Sequence, residues 1–190
     1  MNKNERKTKE TSVQIELDVN NYKPSKIKTG IPFFDHMLES FAKHGRFYLS
    51  IKCEGDIDID FHHTVEDVGI LLGLTLKDEL YPAHDIERFG ECSIVMDEAC
   101  VNSILDISNR AFLFFDVDFF GYIKDFDVEL LEEFFRAVSY NASLTLHIVS
   151  TRGKNKHHLA EACFKSFGVA LRRALHKAPK IGVPSTKGTI

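Results

Sequence analysis

The sequence predicts an α+β fold made from one unit used twice, each half a mostly antiparallel or mixed sheet with two helices packed on one face. Three observations carry this. Segments that alternate apolar and polar residues are interleaved with segments of helical spacing. The stretch HHTVEDVGILLGLTL from His62 returns as HHLAEACFKSFGVAL from His157, with both histidines, the glutamate, a glycine and the last leucine coincident. The order of elements around each copy is also the same. The halves fall at 1–87 and 88–190 within one compact domain, which 190 residues can supply.

Val13, Ile15, Leu17 and Val19 alternate with polar residues, the pattern of a half-buried strand. Phe33, Phe34, Met37, Leu38 and Phe41 then follow at helical spacing. Gly45 is placed at the end of that helix, where a left-handed residue is common. A strand is expected over 47–53, and a short strand where Ile57 and Ile59 alternate with Asp56, Asp58 and Asp60. A helix from His62 to Leu80 is closed by Pro82. In the second half, strands are expected over 93–96, 103–107, 112–117 and 144–149. Helices are expected over 128–140 and from His157 to Leu175.

Bulk properties exclude several functions. The formal charge is −4, with acids and bases mixed, so no basic stripe suits nucleic acid or an anionic membrane surface. No run is apolar enough to span a bilayer, and residues 1–10 are too charged for a secretory signal. Cys53, Cys92, Cys100 and Cys163 form no Cys-x-x-Cys pair and read as core thiols of a reducing compartment.

The chemistry is carried by the repeated His-His-x-x-Glu motif, His62, His63 and Glu66, then His157, His158 and Glu161. Imidazole suits borderline metals and carboxylate adds a hard oxygen donor. A histidine and a glutamate three or four positions later share a helix face. Adjacent histidines point about 100° apart, so each motif should give one histidine to each of two ions. The expected pairing is His63 and Glu66 with His157, and His158 and Glu161 with His62, the halves meeting about a pseudo-twofold. His36 and His147, each in an apolar stretch, are the candidate further ligands. The ligand set suits Mn, Fe, Co or Zn. The inverted zinc-peptidase pattern fails because Asp67 and Ala162 follow the glutamates, and no nucleophile elbow or phosphate loop occurs.

Several longer segments resemble the imidazoleglycerol-phosphate dehydratase family. They are Thr29 to Leu38 (TGIPFFDHML), His62 to Asp67 (HHTVED), Met96 to Ala99 (MDEA) and Pro184 to Gly188 (PSTKG). Arg6-x-Thr8-x-Glu10-Thr11 and Asn155-x-His157-His158 match as well, so the likeness runs from Arg6 to Ile190. The resemblance implies a cytosolic, monofunctional hydro-lyase of histidine biosynthesis that removes water from D-erythro-imidazole-glycerol phosphate to give imidazole-acetol phosphate. It implies two Mn(II) ions per site, a homo-oligomeric shell of 24 subunits with active sites between subunits, and a duplicated α+β fold (ribosomal protein S5 domain 2-like). Binding both ring nitrogens to metal would let electron density pass through the imidazole as the C–O bond breaks.

By the same resemblance Glu10 is a candidate acid/base that reaches substrate across a subunit boundary. Asp97, Glu98 and His44 are candidates for proton transfer or ligand support. Arg88, Arg110, Lys165, Ser185 and Lys187 are implied phosphate donors. The chain departs from the family at Asn109, where glycine is usual, and near Val19-Asn20, where a glycine is missing. Two alternatives share the ligands: a dinuclear hydrolase, which leaves the Pro184 to Gly188 tail unexplained, and a metal storage or sensor module, which gives no reason for Glu10. Turnover of imidazole-glycerol phosphate with added Mn(II) separates all three.

Overall fold

The computed structural model describes residues 1–190. In the first half, β1 (Asn2–Lys7), β2 (Thr11–Asp18), β3 (Lys26–Lys28) and β4 (Tyr48–Gly55) form a sheet in the order β1-β2-β4-β3. Helices α1 (Pro32–Gly45) and α2 (His62–Leu80) flank β4 in sequence. In the second half, β5 (Phe89–Met96), β6 (Ala99–Asp106), β7 (Phe112–Asp116) and β10 (Thr145–Arg152) repeat the arrangement as β5-β6-β10-β7, with α3 (Glu129–Asn141) and α4 (Lys156–Ala174) around β10. In both sheets one edge strand runs parallel to its neighbour and the other pairings are antiparallel. The one addition is a small hairpin, β8 (Tyr122–Ile123) and β9 (Phe126–Asp127).

The halves are fused through their helices. α1 packs on α4 and α2 packs on α3. One continuous apolar core draws on both halves, with Phe34, Phe41, Phe134, Phe135, Phe164 and Phe167 fully buried. The repeated glycine explains the close approach. A Cβ on Gly73 would meet Val138 O at 2.7 Å, and one on Gly168 would meet Phe41 O at 2.5 Å. Each glycine therefore lets a helix from the other half touch backbone to side-chain-free backbone.

One local expectation is refined, one is corrected and one strand is added. α1 ends at Gly45 as expected, but the left-handed residue is the next one, Arg46 (φ 59°). Gly45 is small because the Phe47 ring occupies the space a Cβ would need. The alternation at Ile57 and Ile59 forms a turn rather than a strand, since Asp60 and Asp56 are spent on α2 as described below. Strand β1, with no apolar residue in NKNERK, is an edge strand whose charges discourage further pairing.

Candidate active site

The N-terminus of α4 is fixed by Asn155, whose side chain accepts from the backbone N–H groups of His157 and His158. From that turn His157 and Glu161 project along one face toward α1. Glu161 Oε2 lies 3.2 Å from His157 Nε2 and 3.6 Å from His36 Nε2. Its other oxygen accepts from Lys165 Nζ at 2.8 Å and from Ser40 Oγ at 3.4 Å. His36, His157 and Glu161 bring one donor atom each within 4.8 Å of one another. Burial works against the Glu161 anion, but the bond and charge of Lys165, together with His36 and His157, outweigh it, so its carboxyl stays below the usual range.

This corrects the expected pairing. Glu161 faces His157 and His36, not His158 and His62, because a spacing of four keeps His157 over Glu161 while His158 turns to another side. His158 instead donates from Nδ1 to Glu98 Oε2 at 2.8 Å, and its Nε2 lies 3.8 Å from Asp97 Oδ2. Glu98 also accepts from the backbone N–H of Asn155 at 2.7 Å and of Lys154 at 3.1 Å. The Asn155 N–H first, and the His158 bond next, hold its carboxyl far below its ordinary value of 4.5, at about 2. The anion is thus favoured by folding. Its contribution is complete above the ordinary value and is lost as pH falls toward 2. Glu98→Gln should therefore unfold more readily than the wild type above pH 4.5, with the two curves converging near pH 2 in denaturant titrations.

The first motif is supported in the same way. Asp60 Oδ1 accepts from the His62 N–H at 2.8 Å, and His63 Nδ1 donates to Asp56 Oδ2 at 3.0 Å. That bond, with Glu10 and Asp60 adding charge, raises His63 above its usual value despite some burial. His62, His63 and Glu66 gather no donor cluster of their own. Nor do the two motifs meet within the chain. The Phe33 ring stands 5.6 Å from His157 and 5.0 Å from Phe126, and Phe61 stacks on the other side of Phe126. Aromatic contacts between the halves thus stand beside the second motif, and the two motifs the pseudo-twofold was expected to join stay apart.

The duplication relates the two supporting glutamates. Glu10 and Glu98 occupy matching places at the ends of the β1–β2 and β5–β6 hairpins, beside His63 and His158. The Glu10 hairpin is anchored by Asp67, a 5% exposed carboxylate that no sequence argument had singled out as a support. Arg6 Nε donates to it at 2.8 Å, and the Thr8 and Thr11 hydroxyls donate as well. The Arg-x-Thr-x-Glu-Thr pattern is therefore three ligands of one buried anion with Glu10 between them. Asp67→Ala leaves these donors unpaired and should cost about 3 kcal/mol in chemical denaturation.

The remaining candidates are dispersed. His147 is exposed on the open face of the second sheet, its ring 5.8 Å from Phe112 and 5.4 Å from Phe114. The helices cover the opposite face, so His147 cannot join Glu161 in the same chain. His44 is half-buried on α1, and burial first, then Lys165 and Lys43, push it below its usual value. Arg88 (φ 70°) grips Asp106 with two bonds, 2.7 and 3.1 Å, and donates to Pro184 O at 2.8 Å, so it holds the C-terminal tail carrying Ser185 and Lys187. Arg110 reaches the same Asp106 at 3.8 Å, and Lys165 is apart from them on α4. Asn109 adopts φ 54°, the left-handed angle for which asparagine can replace glycine.

Comparisons with known proteins place the chain in a family. The family model described as imidazoleglycerol-phosphate dehydratase matches residues 29–171. This chain belongs to the imidazoleglycerol-phosphate dehydratase family. Membership makes it a hydro-lyase. The Wolinella succinogenes imidazoleglycerol-phosphate dehydratase is 58% identical over 185 residues, covering 97% of each chain. That of a Nitratiruptor species is 57% identical over 190 residues and covers both chains completely. Among solved structures, the Pyrococcus furiosus protein superposes with a TM-score of 0.85 at 37% identity, covering 98% of this chain and 99% of that one. The Staphylococcus aureus enzyme gives 0.82 at 39% identity, with 92% and 98% covered. No helix here is long and apolar enough to cross a membrane.

Proposed function

We propose that this chain eliminates water from D-erythro-imidazole-glycerol phosphate to give imidazole-acetol phosphate, as a cytosolic homo-oligomer using two Mn(II) ions per site. The observation that carries the reading is the convergence of His36, His157 and Glu161 in a chain of this family. Two imidazoles and a carboxylate fit a divalent ion of the Mn to Zn series, and Glu161, with Lys165 on its Oε1, keeps Oε2 facing both imidazoles. His62, His63, Glu66, His147 and His158 are the further donors. When bound, the ions supply Lewis acidity and a template for the imidazole ring.

The chain's own groups do the rest. Asp56 and Glu98 accept hydrogen bonds from the Nδ1–H groups of His63 and His158, which makes Nε2 the ligand atom of each ring, with Asn155 Nδ2 3.4 Å from that of His158. Glu98, locked as an anion by three N–H donors, is better suited to positioning His158 than to moving protons, with the exposed Asp97 as an outer support. Glu10 makes no side-chain hydrogen bond in the chain and is free to take the proton from the carbon beside the ring. His44, kept toward its neutral form, can accept a proton nearby. Arg88, Arg110, Lys165, Ser185 and Lys187 are the donors for the phosphate.

The setting of His147 supports self-association. Ile104, Phe112 and Phe114 surround it as exposed apolar side chains, 48%, 49% and 44% accessible, on a sheet face whose counterpart in the first half carries Gln14, Glu16, Ser50 and Lys52. Such a patch marks a contact surface. Another copy seated there would bring His147 toward a neighbour's ligands.

The test is product formation from imidazole-glycerol phosphate by the assembled protein with added Mn(II). Absence of turnover in metal-loaded assemblies would overturn the reading. Glu10→Gln should keep its metal content and lose about 10²- to 10⁴-fold in rate. Full activity in that variant would refute its role.

A further inference from the structure

At the C-terminal ends of α1 and α4, a cleft of about 560 Å³ is lined by Arg46, Arg172, Arg173 and His176, with Glu87, Phe89 and Glu91 on its wall. None of the three arginines forms an ion pair with a carboxylate, although Arg88 and Arg110 do so with Asp106. Arg172 spends one N–H on His44 O at 2.8 Å, and Arg173 one on Glu91 O. A guanidinium has five donors, so most remain uncommitted. Mutual repulsion is real: burial first, then the charges of Arg46 and Arg173, lower Arg172 below its usual value.

The duplication shows that the fold does not require this charge. Ser143 stands where Arg46 does, in the same left-handed conformation (φ 53° and 59°) with the same backbone bonds to the preceding helix. The counterparts of Arg172 and Arg173 on α2 are Lys77 and Asp78, and Asp78 accepts from Asn4. One half thus has a neutralised helix end, and the other concentrates three unpaired guanidinium groups around an open cleft.

We infer that the cleft formed by Arg46, Arg172 and Arg173 is a binding site for a small phosphate-type anion, separate from the substrate's phosphate donors. Planar guanidinium groups match phosphate oxygens in pairs, and convergence of three gives the site its selectivity over a single surface charge. Through Arg172 the anion would touch the C-terminal turn of α1, where His44 lies.

Equilibrium dialysis of the assembled, Mn(II)-loaded protein against inorganic phosphate counts the sites. The Arg46→Asn/Arg173→Gln double variant spares Arg172 and its bond to α1. The expected result is one phosphate equivalent fewer per chain than in the wild type, while Lys187→Gln retains that equivalent. Unchanged phosphate binding in the double variant would overturn the proposal. So would a change in sedimentation without a change in phosphate count, which would assign the arginines to contact between copies.

Discussion

Glu161→Gln is expected to lose bound metal and at least about a thousandfold in turnover together, while the isolated chain keeps its fold. Glutamine fills the same volume and can still accept from Lys165 and Ser40, so packing is preserved. What disappears is the negative charge between His36 and His157, the one place where three ligand-type atoms converge. Metal analysis beside a circular dichroism spectrum checks this. A variant that binds metal as the wild type does would place the ion elsewhere.

His147→Ala should also damage activity, for a different reason. The side chain is exposed and supports no core residue, so the chain should unfold at nearly the wild-type denaturant concentration when separated from its assembly. Yet turnover should fall by about a hundredfold or more, because an exposed imidazole amid Phe112, Phe114 and Ile104 has value only as a ligand offered to another copy. Activity measured beside sedimentation separates loss of a ligand from loss of assembly.

Much of this was legible in the sequence because the repeated motif sits on two long helices whose apolar spacing is plain. The 19-residue span of α2 was read to its ends. β1 was not, since six polar residues carry no alternation and pairing with β2 alone makes them a strand. The individual site histidines were readable from their apolar surroundings. Their partners were not. Which carboxylate meets which imidazole depends on α1 crossing to the other half to pack on α4, so that His36 reaches Glu161 from far along the chain. Asp67 was visible only as part of a family pattern. Its role required seeing Arg6, Thr8 and Thr11 folded around it.

The central claim is that one chain supplies His36, His157 and Glu161 while another supplies His147. Mixing unfolded His147→Ala and Glu161→Gln chains in equal amounts and refolding them together tests it directly. Each intact site then needs Glu161 from one variant and His147 from the other, so random assembly should restore about a quarter of wild-type activity. Activity no higher than that of either variant refolded alone would contradict a site shared between copies.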